Sequence, residues 1–78
     1  GERDDDRLFL LGKVNHDQQK WRAVISAFAK LQKLHPGSQF LEEGLYLQAQ
    51  AFSELKQYNS GLEILNELQN TIGQLKKP

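Results

Sequence analysis

No cysteine occurs in these 78 residues, which excludes disulfides and thiolate metal sites as sources of stability and fits any redox compartment. Nor is there an excess of charge, because ten Lys and Arg balance ten Asp and Glu. Nucleic-acid binders neutralise phosphate with a basic surplus or stripe, so no nucleic-acid partner is expected. No apolar run approaches the roughly 18 to 20 residues that cross a bilayer, and no direct membrane insertion is expected. The start, Gly1-Glu2-Arg3-Asp4-Asp5-Asp6, carries no hydrophobic segment of the signal-peptide kind. Beginning at Gly1 without Met, the sequence reads as a piece of a longer chain.

Catalytic signatures are equally scarce. The glycines are scattered, with no phosphate-cradling loop. Aliphatic hydroxyls are confined to Ser26, Ser38, Ser53, Ser60 and Thr71, none in a nucleophile-elbow context. His16 and His35 fall on different segments without neighbouring ligands, and adjacent His16 and Asp17 do not share a helix face. The expectation is no enzyme, no metal and no cofactor. A single core at this length is only marginally adequate. Without disulfide or metal, close helix packing and association are left to supply stability.

What the chain does have is helical period. The first stretch runs from about Asp5 to His16, with Asp4, Asp5 and Asp6 placed to cap it and to suit the positive end of its dipole. A second, about Lys20 to Leu34, carries Trp21, Val24, Ile25, Phe28, Leu31 and His35 as one stripe. Lys30 and Lys33 suit its last turns, His35 sits at its end, and Pro36-Gly37 stops it. Ser38 is the expected cap of a third, about Gln39 to Leu55, with Leu41, Leu45, Ala49 and Phe52 repeating every three or four residues. The fourth, about Tyr58 to Leu75, has the stripe Leu62, Leu65, Leu68, Ile72 and Leu75. No stretch alternates like a strand. Short connections favour antiparallel neighbours, so the predicted fold is all-α, one domain of two helical hairpins.

The two halves also match each other. Placing Trp21 over Tyr58 fixes an offset of 58 − 21 = 37 residues. Leu8 then falls on Leu45, Phe9 on Tyr46, Leu10 on Leu47, Gly12 on Ala49 and Val14 on Ala51. Ile25 meets Leu62, Phe28 meets Leu65 and Leu31 meets Leu68. An internal period of this size marks helical-hairpin repeats, which work by presenting a surface.

These residues resemble the tetratricopeptide repeat, a helix–turn–helix unit of about 34 residues. The first copy supplies Leu8, Leu11-Gly12, Trp21, Phe28 and Pro36; the second supplies Leu45, Ala49, Phe52, Tyr58 and Leu65. It departs from the family pattern at Asn15, Val24, Leu31, Gln48, Gly61 and Leu68. The resemblance implies repeat 1 over about residues 5–36 and repeat 2 over about 39–75. The offset exceeds the usual period by about three residues. The passage Pro36-x-Ser38-x-Phe40, followed by Gly44-Leu45-Tyr46, is similar to tetratricopeptide domains of bacterial envelope proteins, such as outer-membrane assembly lipoproteins and Tol–Pal-associated coordinators. That form implies the periplasm and protein partners; otherwise a cytoplasmic location is expected.

In that family the first helix of each hairpin lines a concave face. Carried over, the resemblance places Asp6, Phe9, Lys13, His16 and Asp17 there from copy one, and Glu43, Tyr46, Gln50, Ser53 and Glu54 from copy two. Phe9 and Tyr46 would form an aromatic platform for a partner's apolar side chain. They occupy positions where a carboxylate clamp needs polar or basic groups, so no clamp is expected. The implied function is a scaffold module that binds a protein or peptide segment. The alternative is a homo-oligomerisation domain, because the last helix would expose some of Leu65, Leu68, Ile72 and Leu75 to a second copy or to further repeats.

Overall fold

The computed structural model describes the backbone of residues 4–75 and the side chains of residues 4–73. Four helices follow one another: α1 Asp4–Asp17, α2 Trp21–Leu34, α3 Leu41–Glu54 and α4 Tyr58–Leu75. The described residues contain no strand. α1 lies along α2, α2 along α3 and α3 along α4, while α1 and α3 touch along one edge. The class is all-α, two helical hairpins stacked side by side.

The two hairpin turns are built alike, bond for bond. In the first, Gln18 N–H donates to Val14 O, Gln19 to His16 O and Lys20 to Asn15 O. In the second, Leu55 donates to Ala51 O, Lys56 to Ser53 O and Gln57 to Phe52 O. Each pair of donors differs by the sequence offset. The last two bonds of each set are the paired closures of a Schellman ending, which needs a left-handed residue just past the helix. Gln19 (φ 60°) and Lys56 (φ 63°) occupy that position. Neither is glycine, so each turn carries the steric cost of a Cβ in left-handed backbone.

Packing between the helices depends on bulk meeting a gap. In the first hairpin the gap is Gly12, where any Cβ would overlap the ring of Phe28. Between the hairpins it is Gly44, where a Cβ would stand 3.1 Å from Leu31 Cδ2 and Phe28 Cδ1. In the second hairpin it is Gly61, where a Cβ would meet Ala49 O at 3.3 Å and Phe52 Cβ at 3.5 Å. Phe28 is therefore clasped between α1 and α3, and it is fully buried together with Val24, Leu31 and Leu45.

α3 is buried on two sides because it is sandwiched. Gly44 meets α2, and helix spacing puts buried Leu47, Gln48 and Ala51 on its face, while Ala49 and Phe52 meet Gly61 of α4. The stripe read from sequence, Leu41, Leu45, Ala49 and Phe52, is only one of these two sides. Gln48 is buried with its Oε1 unpaired, although its counterpart in α1 is the apolar Leu11.

Two expectations need correction. Ser38 does not cap α3: the residue before the helix is Phe40, without a side-chain cap. Ser38 Oγ instead accepts from Phe40 N–H at 3.1 Å and donates to Asp5 Oδ2 at 2.8 Å. The α4 stripe also divides. Leu68 and Ile64 pack against the core, Ile72 is half-buried, and Leu62 and Leu65 are exposed. Leu68 therefore is not an outward residue as expected, and the side chain of Leu75 lies outside the described ones.

Candidate functional site

α1 and α3 run parallel, and the residues assigned to a shared binding face lie along their common edge. Lys13 Nζ donates to Glu43 Oε2 at 3.0 Å, and His16 Nε2 donates to Gln50 Oε1 at 3.2 Å. Both pairs step in the same direction along the two helices, forming rungs between them. The Lys13–Glu43 pair is exposed on both sides, so in water it contributes about 0–1 kcal/mol. Its charges remain accessible to a ligand. His16 also stands edge-on to Trp21, with centroids 5.4 Å apart.

Tyr46, between Glu43 and Gln50 on α3, is 58% exposed. Its counterpart Phe9 is half-buried, stacked on Phe40 at 4.6 Å and tilted against Phe28 at 6.0 Å, with Lys13 Nζ 5.7 Å above its ring. The expected two-ring platform is therefore not formed. Phe9 fills the seam that α1, α2 and the start of α3 share, leaving Tyr46 as the exposed ring of this face. The difference comes from Phe40: among the described residues no ring stacks on Tyr46 as Phe40 does on Phe9. Its sign in the sequence was the extended passage after Pro36.

Asp6 is half-buried near the start of α1, whereas Asp17, Ser53 and Glu54 are exposed near the ends of α1 and α3. The structure thus brings Lys13, His16, Glu43, Tyr46 and Gln50 together and leaves those other residues at the margins. Chemically, the assembled face offers one amphipathic ring, one ion pair and one imidazole–amide pair. That set suits recognition of a side chain with adjoining polar backbone.

A second polar cluster holds the opposite end of α1. His35 Nε2 donates to Asp4 Oδ2 at 2.7 Å, and the Ser38 hydroxyl donates to Asp5. The hydrogen bond from His35, with its charge in support, holds the Asp4 carboxyl below the usual carboxylate range against a smaller opposing effect of burial. The acidic run, expected to cap α1, is thus also a tether to the α2–α3 joint.

An apolar groove on the outer side of α1 is lined by Arg7, Leu8, Leu10, Leu11 and Val14. Sequence reasoning did not single out this surface. The available signal was that Leu10 and Val14 align with Leu47 and Ala51 while lying off the inward stripe of α1. Comparison of the chain with protein-family models, curated proteins and solved structures finds no match.

Proposed function

We propose that this chain is a tetratricopeptide-like protein-binding module that takes a partner segment along the α1–α3 face, with Tyr46 as its apolar anchor. The observation that carries this reading is the exposed Tyr46 ring set between the Lys13–Glu43 and His16–Gln50 rungs. An exposed tyrosine on a rigid helix offers large contact area at low entropic cost. The flanking rungs supply donors and acceptors of both signs, suiting an extended or helical segment with one apolar side chain and mixed polar neighbours. The duplicated turn geometry supports the repeat character on which the reading depends.

The test is selection of short random peptides on the immobilised domain, followed by affinity measurement against variants. Selected peptides should share an aliphatic or aromatic anchor and lose binding at least tenfold to Tyr46→Ala. Lys13→Ala should weaken those with an acidic flank. Peptides that bind Tyr46→Ala as tightly as the unaltered domain would place recognition elsewhere.

A further inference from the structure

The end faces of this stack are the two halves of an interface that the chain already forms once in its interior. In that interior contact, Gly44 of α3 meets Phe28 and Leu31 of α2; Leu47 and Ala51 join the same buried cluster, and helix spacing puts buried Gln48 on their face. Shifting back by the repeat offset puts Arg7, Leu10, Leu11 and Val14 on the corresponding side of α1. Shifting forward puts Leu65 on the corresponding side of α4, beside Leu68, which is half-buried against the chain's own core. The residues correspond but their surroundings do not. Leu10 is 57% exposed where Leu47 is 8%, Val14 is 52% exposed where Ala51 is 0%, and Leu65 is 41% exposed where Phe28 is 0%.

We propose that copies of this chain join head to tail, the outer face of α4 in one copy receiving the outer face of α1 in the next, in the manner of α2 against α3. A second copy is the occupant because each chain carries both halves, and each half is the type of surface that the other packs against internally. The contact is heterologous: different patches meet, so each added copy leaves one free patch at either end. Arg7 is the largest misfit. It stands at the register position of Gly44, where no Cβ fits without neighbouring side chains giving way. The copies therefore sit farther apart at that point than α2 and α3 do.

The assignment is independent of the peptide-binding face, since neither patch includes Tyr46. Sedimentation velocity and light scattering over a concentration series test it. The unaltered chain should show a mean mass that rises with concentration and passes beyond two copies. Leu11→Glu and Leu65→Glu place charge on exposed positions of α1 and α4, so both should keep their helical circular dichroism and run as single chains. Mixed together, they should recover a one-to-one pair, because each keeps the patch that the other has lost. Arg7→Gly should shift association of the unaltered chain to lower concentration. A single-chain mass at the highest concentration, or no pairing in the mixture of folded variants, would overturn the proposal and leave these faces to other hairpins or another protein. Continued self-association of Leu11→Glu alone would overturn it as well, by showing that α4 pairs with its own kind.

Discussion

The two hairpins share one backbone plan but reverse the placement of bulk and gap. In the first, the space is on the leading helix at Gly12 and the bulk is Phe28 on the returning helix. In the second, the space is on the returning helix at Gly61, and the leading helix supplies Phe52 and the carbonyl of Ala49. At the offset of 37, Gly12 answers to Ala49 and Phe28 to Leu65, so neither half of the first arrangement survives in the second. Close approach of two helices requires a gap somewhere, and interiors pack too densely to leave it unfilled. Which helix contributes the gap is free. Repeat identity therefore resides in turn geometry and stripe position more than in residue type.

The largest break in this comparison should come from truncating the clasped ring. Phe28→Ala should cost about 3–5 kcal/mol, much of the stability of a small domain, while the counterpart Leu65→Ala should cost well under half as much. Chemical denaturation of both variants measures the contrast. Filling the first gap comes next. Gly12→Ala should destabilise by about 1–3 kcal/mol despite its better helix propensity, because its Cβ would overlap the Phe28 ring. Gly73→Ala, with open space around it, should be neutral or stabilising. Thermal melts in which Gly12→Ala is the more stable variant would refute the close crossing.

Gln48→Leu makes the second hairpin resemble the first at this position. It removes a buried oxygen without a partner and should raise stability by about 1 kcal/mol in urea unfolding. Gln19→Gly and Lys56→Gly relieve left-handed backbone at equivalent sites and should each stabilise by roughly 0.5–1 kcal/mol, less whatever the freer unfolded chain takes back. Similar gains from both would confirm that the turns are energetically equivalent; a gain at one alone would break the parallel.

The smallest effect concerns a feature of the first hairpin's start. Asp4 has its pKa lowered by the bond from His35, so its contribution is complete above the usual carboxylate value. It is lost as pH falls through the lowered value. Asp4→Asn should therefore lessen the decline of melting temperature below about pH 4, as read from thermal melts over an acid pH series.

Much of this arrangement was legible in the residues. The 3.6-residue period, Pro36-Gly37 and the 37-residue offset place all four helices, with limits off by no more than about two residues, the spread expected of helix ends. Burial was less legible. Period alone gives one inward stripe per helix, yet α3 has neighbours on two sides, so Leu47, Gln48 and Ala51 lie off the stripe expected of it. On α4 the leucines at three-and-four spacing outnumber the positions its single neighbour can cover. Leu62 and Leu65 consequently face outward while Ile64 turns in. At the candidate site, the rungs were beyond reach because they depend on how far α3 slides along α1. Phe40, which draws Phe9 inward, lies outside the repeat pattern.

The bonds from His35 to Asp4 and from Ser38 to Asp5 anchor the elbow between the hairpins to the beginning of the chain's first rod. That elbow is thereby a pinned pivot rather than a loose link. A rotation of a few degrees there would swing the distal tip of the second hairpin through a much longer arc. Two short polar bonds, outside the greasy interior, thus reinforce the tilt that Gly44 against Phe28 and Leu31 sets between the hairpins.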